Sequence, residues 1–68
     1  MEVKQRYADK LITCRKAKGF SQEEVAAEIG VNQTTISKHE NGFALPTPSN
    51  MMKLASLYDV SVSYLFFE

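Results

Sequence analysis

Sixty-eight residues carrying eight basic and eight acidic side chains, and so no formal net charge, describe one small domain, residues 1–68. A chain of that size buries only about 60% of its unfolded surface, which leaves little room for a substrate cleft, and 44% apolar with 24% charged residues is a globular rather than a disordered composition. No apolar run spans a membrane, MEVKQRYADK lacks the apolar core of a signal peptide, and the single cysteine, Cys14, has no internal partner, so a cytoplasmic protein is expected.

The first predicted helix begins at Val3 or Lys4 and runs to Lys18. Tyr7, Leu11 and Cys14 recur at spacings of four and three, which places them on one buried stripe. Gly19 ends it, with Lys16 and Lys18 in the last turn, where cations suit the helix dipole. Cys14 reads as a small core residue, because no base is evident to activate it. Phe20 precedes Ser21, where it can staple against Val25.

From Ser21 to Gly42 the chain reads SQEEVAAEIGVNQTTISKHENG. Ser21 is a good N-cap, and Glu24, three residues on, completes a capping box. Val25, Ala26 and Ile29 supply an apolar stripe, and Gly30 suits the left-handed residue that ends a helix. Asn32 is placed to cap a further helix, Gln33 to about Glu40, closed by Asn41-Gly42. Two short helices about a glycine turn make a helix-turn-helix unit. Asn32, Gln33, Thr34, Ser37 and Lys38 crowd the start and one face of its second helix with donors and acceptors. Such side chains can bond base edges and phosphates when a helix N-terminus enters the major groove, although surface helices are polar in any case.

The stretch resembles the phage-repressor type of helix-turn-helix regulators, the xenobiotic-response-element family. The likeness is carried by Ser21-Gln22-Glu23-Glu24-Val25-Ala26, Gly30, Thr35-Ile36-Ser37-Lys38 and Glu40-Asn41-Gly42, within a match from Tyr7 to about Leu65. It implies an all-α, compact five-helix bundle in which helices 2 and 3 form the helix-turn-helix. It implies that Gln22 touches phosphate, that Asn32, Gln33, Thr34 and Lys38 face the bases, and that Arg15 pairs with Glu40. Thr35, Ser37 and Asn41 are secondary contacts, for phosphate or a thymine methyl. His39 stands where the family usually has a larger apolar or aromatic residue. A neutral imidazole packed into the core is the expectation there, rather than a metal ligand or a pH switch.

The charge balance runs against this reading, since nucleic-acid binders normally carry a basic excess. Lys4, Arg6, Lys10, Arg15, Lys16 and Lys18 all precede residue 19, whereas Glu23, Glu24 and Glu28 lie on the second helix. A small basic rim is expected, with phosphate held largely by backbone N–H groups and helix N-termini. After Gly42, the segment Phe43-Ala44-Leu45-Pro46-Thr47-Pro48-Ser49 is a loop, because two prolines bar a continuous helix. The family's loop often carries Lys or Arg at this point, and this one carries neither. Leu45 is expected to be buried; Phe43 is open.

Thr47 caps a fourth helix with Pro48 at its first position, running to about Tyr58. Met51, Leu54, Ala55 and Tyr58 form its apolar stripe, and the Met51-Met52 pair is read as core filler. Ser61 caps a last short helix, Val62 to about Phe67. Val62 and Leu65 face the core, leaving Tyr64, Phe66 or Phe67 outward as a surface for self-association.

The functional expectation is sequence-specific binding of double-stranded DNA by a transcriptional regulator, a repressor in preference to an activator. It would act as a homodimer on a palindromic operator and need no cofactor. The alternative is a protein-interaction module, such as an antitoxin or a partner-binding helix-turn-helix protein, which need not exclude DNA binding. An enzyme is disfavoured: one His, one Cys, and no metal-ligand spacing or phosphate-binding loop.

Overall fold

The computed structural model describes residues 5–68. Five helices follow in order: α1 (Gln5–Lys18), α2 (Gln22–Ile29), α3 (Gln33–Glu40), α4 (Pro48–Tyr58) and α5 (Val62–Phe66). A start at Val3 or Lys4, and the charge of Lys4, lie outside the described residues. The predicted all-α bundle with a helix-turn-helix at α2–α3 is what forms. No helix among the described residues is long and apolar enough to cross a membrane.

Local chemistry sets most boundaries. Ser21 Oγ accepts from the Glu24 N–H (3.0 Å) and Glu24 Oε1 accepts from the Ser21 N–H (2.8 Å), so the capping box is complete. Gly30 closes α2 at φ 80°, and both its N–H and that of Val31 bond the Ala26 carbonyl. That left-handed turn is cheap only without a Cβ. Thr47 caps α4 through the Asn50 N–H (3.3 Å), with Pro48 in the first turn, and Ser61 caps α5 through the Tyr64 N–H (3.0 Å). Asp59 ends α4 in the left-handed region at φ 61°, unusual for a residue other than glycine.

The core draws on every helix: Tyr7 and Leu11 of α1, Val25, Ala26 and Ile29 of α2, Ile36 of α3, Leu54, Ala55 and Tyr58 of α4, and Leu65 of α5. Cys14 and Phe20 are half-buried against this cluster. Each amphipathic helix buries its apolar stripe against the others, as a layered domain requires.

Three expectations need correction. Leu45 is 56% exposed, and Pro46 is the buried residue of the loop. The His39 Nδ1 atom lies 2.7 Å from the Ala44 carbonyl, which ties the loop backbone to α3. Phe43 and Leu45 both face solvent. Met52 is 64% exposed, because it sits off the Met51–Leu54–Ala55–Tyr58 stripe. Phe66 is half-buried rather than outward. It joins Val62 and Leu65 on the inner face of α5, with its ring 5.9 Å from that of Tyr7.

Tyr58 gives the domain an alkaline limit. Burial, reinforced by the nearby Glu40 charge, pushes its phenol well above the ordinary value of 10.0. A folded-state pKa raised above the unfolded one contributes stability that is full below the unfolded value and lost as pH rises beyond it. Denaturant titrations should therefore show stability falling above about pH 10, and less steeply in Tyr58→Phe. An equally steep fall in that variant would assign the effect to other groups.

Candidate nucleic-acid interface

The short turn around Gly30 and Val31 joins α2 to α3, and the first residues of α3 are exposed. Asn32 occupies the N-cap position with extended backbone, yet its side chain makes no cap to the helix. Its Oδ1 instead accepts from the Thr35 hydroxyl at 2.9 Å. The helical period divides α3 into two faces. Ile36, His39 and Glu40 are buried, whereas Asn32, Gln33, Thr34 and Lys38 are exposed, with Thr35 and Ser37 half-buried between. Gln22, Gln33, Thr34 and Ser37 line a shallow concavity at the junction of the two helices. Asn41, at the far end of α3, donates from Nδ2 to Ser37 Oγ (3.3 Å).

Behind this face lies a chain of polar contacts. Arg15 Nε donates to Glu40 Oε2 at 2.7 Å and Arg15 Nη2 to Glu40 Oε1 at 3.1 Å, a two-pronged pair. Arg15 Nη1 also donates to the Phe20 carbonyl (3.0 Å), tying the end of α1 to the entry of α2. These hydrogen bonds to Glu40 raise the guanidinium's pKa above its usual value, against the opposing effect of burial. Gln22 Nε2 then donates to Glu40 Oε1 (3.0 Å), and Gln33 Nε2 to Gln22 Oε1 over a longer 3.4 Å. The contacts run unbroken from α1 to the exposed start of α3.

His39 is 5% exposed, and its Nδ1 donates to the Ala44 carbonyl, since a carbonyl oxygen can only accept. The Nε2 atom is buried without a partner among the described residues.

The basic rim is thinner than the sequence implies. Arg15 is consumed by Glu40, and Lys10 donates to the carbonyls of Tyr64 (2.8 Å) and Glu68 (3.1 Å) while lying 4.6 Å from the Tyr64 ring centre. Arg6, Lys16, Lys18, Lys38 and Lys53 remain exposed. Sequence reasoning also missed an apolar groove of about 690 Å³ lined in part by Tyr7, Phe43, Leu45, Phe66 and Phe67. Phe43 and Phe67 are 80% and 71% exposed, and Tyr64, at 40%, lies nearby on α5. Its signals in the sequence were the aromatic run of α5, read there as an outward surface, and the missing cations of the α3–α4 loop.

Known proteins place this geometry. The helix-turn-helix family pattern matches residues 11–65. Over 65 residues the chain is 37% identical to the cryptic phage CTXphi transcriptional repressor RstR of Vibrio cholerae, a match covering 96% of this chain and 54% of that one. The chain spans about half the length of the curated relatives it matches. Among solved structures, the restriction-modification controller protein C.AhdI from Aeromonas hydrophila superposes with a TM-score of 0.83 at 30% identity, over 93% of this chain and 96% of that one. The P22 c2 repressor, solved with a synthetic operator, superposes with a TM-score of 0.88 over the same shares; at 24% identity it speaks to the fold alone. On sequence and architecture together, this chain belongs to the helix-turn-helix family of transcriptional regulators, in its phage-repressor form.

Proposed function

We propose that this chain binds double-stranded DNA in a sequence-specific manner and represses transcription by occupying an operator. The observation that carries the reading is the divided surface of α3. Exposed Asn32, Gln33, Thr34 and Lys38 stand on one side, and the Arg15–Glu40 pair braces the other. In this reading α3 enters the major groove, with Gln33 the best candidate for a paired contact to adenine. Gln22 and the N-terminus of α2 set register on phosphate, while Thr35, Ser37 and Asn41 make secondary contacts. Such a protein works where the DNA is, in the cytoplasm, and uses no cofactor. RstR, named as a transcriptional repressor, supports repression over activation.

One short helix reads few base pairs, so two copies on a palindrome, with half-sites about 34 Å apart, fit the function. Phe67 and Tyr64, with Phe66 beneath them and Phe43 and Leu45 across the groove, are the surface proposed for that pairing.

Selection of bound duplexes from a random pool, at low and then physiological salt, tests the proposal. An enriched palindrome with that spacing is expected; no enrichment at either salt would defeat it. Gln33→Ala should cost about 1–3 kcal/mol at one operator position and relax the base preference there. A uniform loss across all sequences would remove Gln33 from the bases.

The exposed groove favours a second reading, a module that docks a protein partner. A salt titration separates the two, since phosphate contacts make log affinity fall with log salt and an apolar interface scarcely responds.

A further inference from the structure

We infer that Asn41-Gly42 is a self-modifying site: the Gly42 backbone nitrogen displaces ammonia from the Asn41 side chain, and the charged product weakens the hold of α3 on DNA. The covalent step follows from these two residues alone. Its consequence rests on the proposed placing of α3 in the major groove, and it gives the binding-competent chain a finite chemical lifetime.

The asparagines of the chain, Asn32, Asn41 and Asn50, precede Gln33, Gly42 and Met51. Of these followers only glycine lacks a Cβ, so it alone leaves its backbone nitrogen unshielded. In the reaction the Gly42 nitrogen bonds to Asn41 Cγ, the Cγ–Nδ2 bond breaks, and the Gly42 proton leaves with Nδ2 as ammonia. Water then opens the five-membered imide at either carbonyl. The products are aspartate and its isomer, in which the main chain runs through the side chain. Asn41 is exposed and stands at the C-cap, outside the regular part of α3. Its geometry sets the pace. At φ −96° and ψ 0° the Asn41 Cβ stands out of the plane of the Gly42 peptide, so the ring cannot close in place. The Gly42 N–H also donates to the His39 carbonyl (3.2 Å), and Asn41 Nδ2 to Ser37 Oγ (3.3 Å). Both are long contacts at a helix end, where opening costs little. The rate is therefore set by how often the last turn of α3 opens, and DNA held against the helix slows it. Aspartate is ionised at neutral pH. It puts a negative charge at the C-terminus of α3, where the helix dipole disfavours it, beside the phosphates proposed for Asn41. The isomer adds one methylene to the main chain, next to the turn in which the Phe43 N–H meets the Lys38 carbonyl at 2.9 Å.

The test ages the purified full chain at mildly alkaline pH and maps its peptides by mass. The acid at position 41 should appear before any at Asn32 or Asn50. It should form about tenfold or more slowly in the folded chain than in guanidinium chloride, since the rate follows the open population. An excess of the selected operator duplex should slow it further. The aged fraction, separated from the intact chain by charge, should bind that operator about tenfold or more weakly, because like charges then face each other. Asn41→Asp, made directly and measured where it is still folded, should reproduce the fall. An Asn41 amide that outlasts those of Asn32 and Asn50 would overturn the inference. So would an aged fraction and an Asn41→Asp variant that both bind as tightly as fresh protein. A fresh chain that selects no duplex would instead overturn the placing of α3, and the consequence for binding with it, while the mass map still decides the covalent step.

Discussion

Glu40→Ala is expected to lower folding stability by about 3–5 kcal/mol, the usual result of removing one partner from a buried ion pair. The side chains of Arg15 and Glu40 are 13% and 4% exposed, so the guanidinium left behind would be largely cut off from water. Gln22 would lose its acceptor as well. Against a total of about 5–15 kcal/mol for a small domain, that is a large share. Denaturant unfolding of Glu40→Ala, Arg15→Ala and the double variant would check it. The double variant should lose clearly less than the sum of the singles, since neither charge is then stranded. Simple additivity would mean that the two side chains contribute separately and not as a pair.

Ile36→Ala is expected to cost about 2–5 kcal/mol, with Ile36→Val costing about 0.5–1.5 kcal/mol. Ile36 is 2% exposed and is the sole aliphatic among the buried residues of α3, the others being His39 and Glu40. Leu11, Leu54 and Tyr58 surround the space it fills, and they are anchored on α1 and α4, so they cannot collapse freely into a gap. The same cut would loosen α3 against the bundle, and DNA affinity should fall at temperatures where the variant is still folded. A change within about 0.5 kcal/mol of wild type, the range of surface substitutions, would show that Ile36 does not anchor the helix.

Ile36 and the helix ends also mark how much of the fold is legible in the amino-acid sequence. The Ser21–Glu24 box, Gly30, Thr47 with Pro48, and Ser61 are signals spoken within a few residues, and each sits at the helix end it foretold. Ile36 on the inner face of α3 and Gln33 on the outer one follow from the helical period alone. Leu45 does not: no apolar period runs through the α3–α4 loop to say which residue turns inward, and Pro46 is the one that does. Met52 was legible, since it stands a hundred degrees away from its buried neighbour Met51 on the helix. Phe66 was legible by the same spacing from Val62, but its aromatic run with Phe67 disguised which ring turned inward. Within the candidate interface, the exposed polar face could be predicted, while the link from Gln33 through Gln22 to Glu40 joins residues eleven and eighteen apart and required the fold.

The separation of the two faces of α3 bears on how such a protein changes its target over time. Thr34 and Lys38 are exposed and contribute nothing to the core, and among the described residues the Asn32 side chain is bonded to its neighbour Thr35 alone. Substitutions at exposed positions like these usually alter stability by no more than about 0.5 kcal/mol. A lineage can therefore try new side chains there without leaving the folded state. Gln33 is less free, because a change there also unseats Gln22. On the proposed reading of α3, the domain thus carries three positions at which preference for a new operator can drift and one at which change has consequences behind the surface.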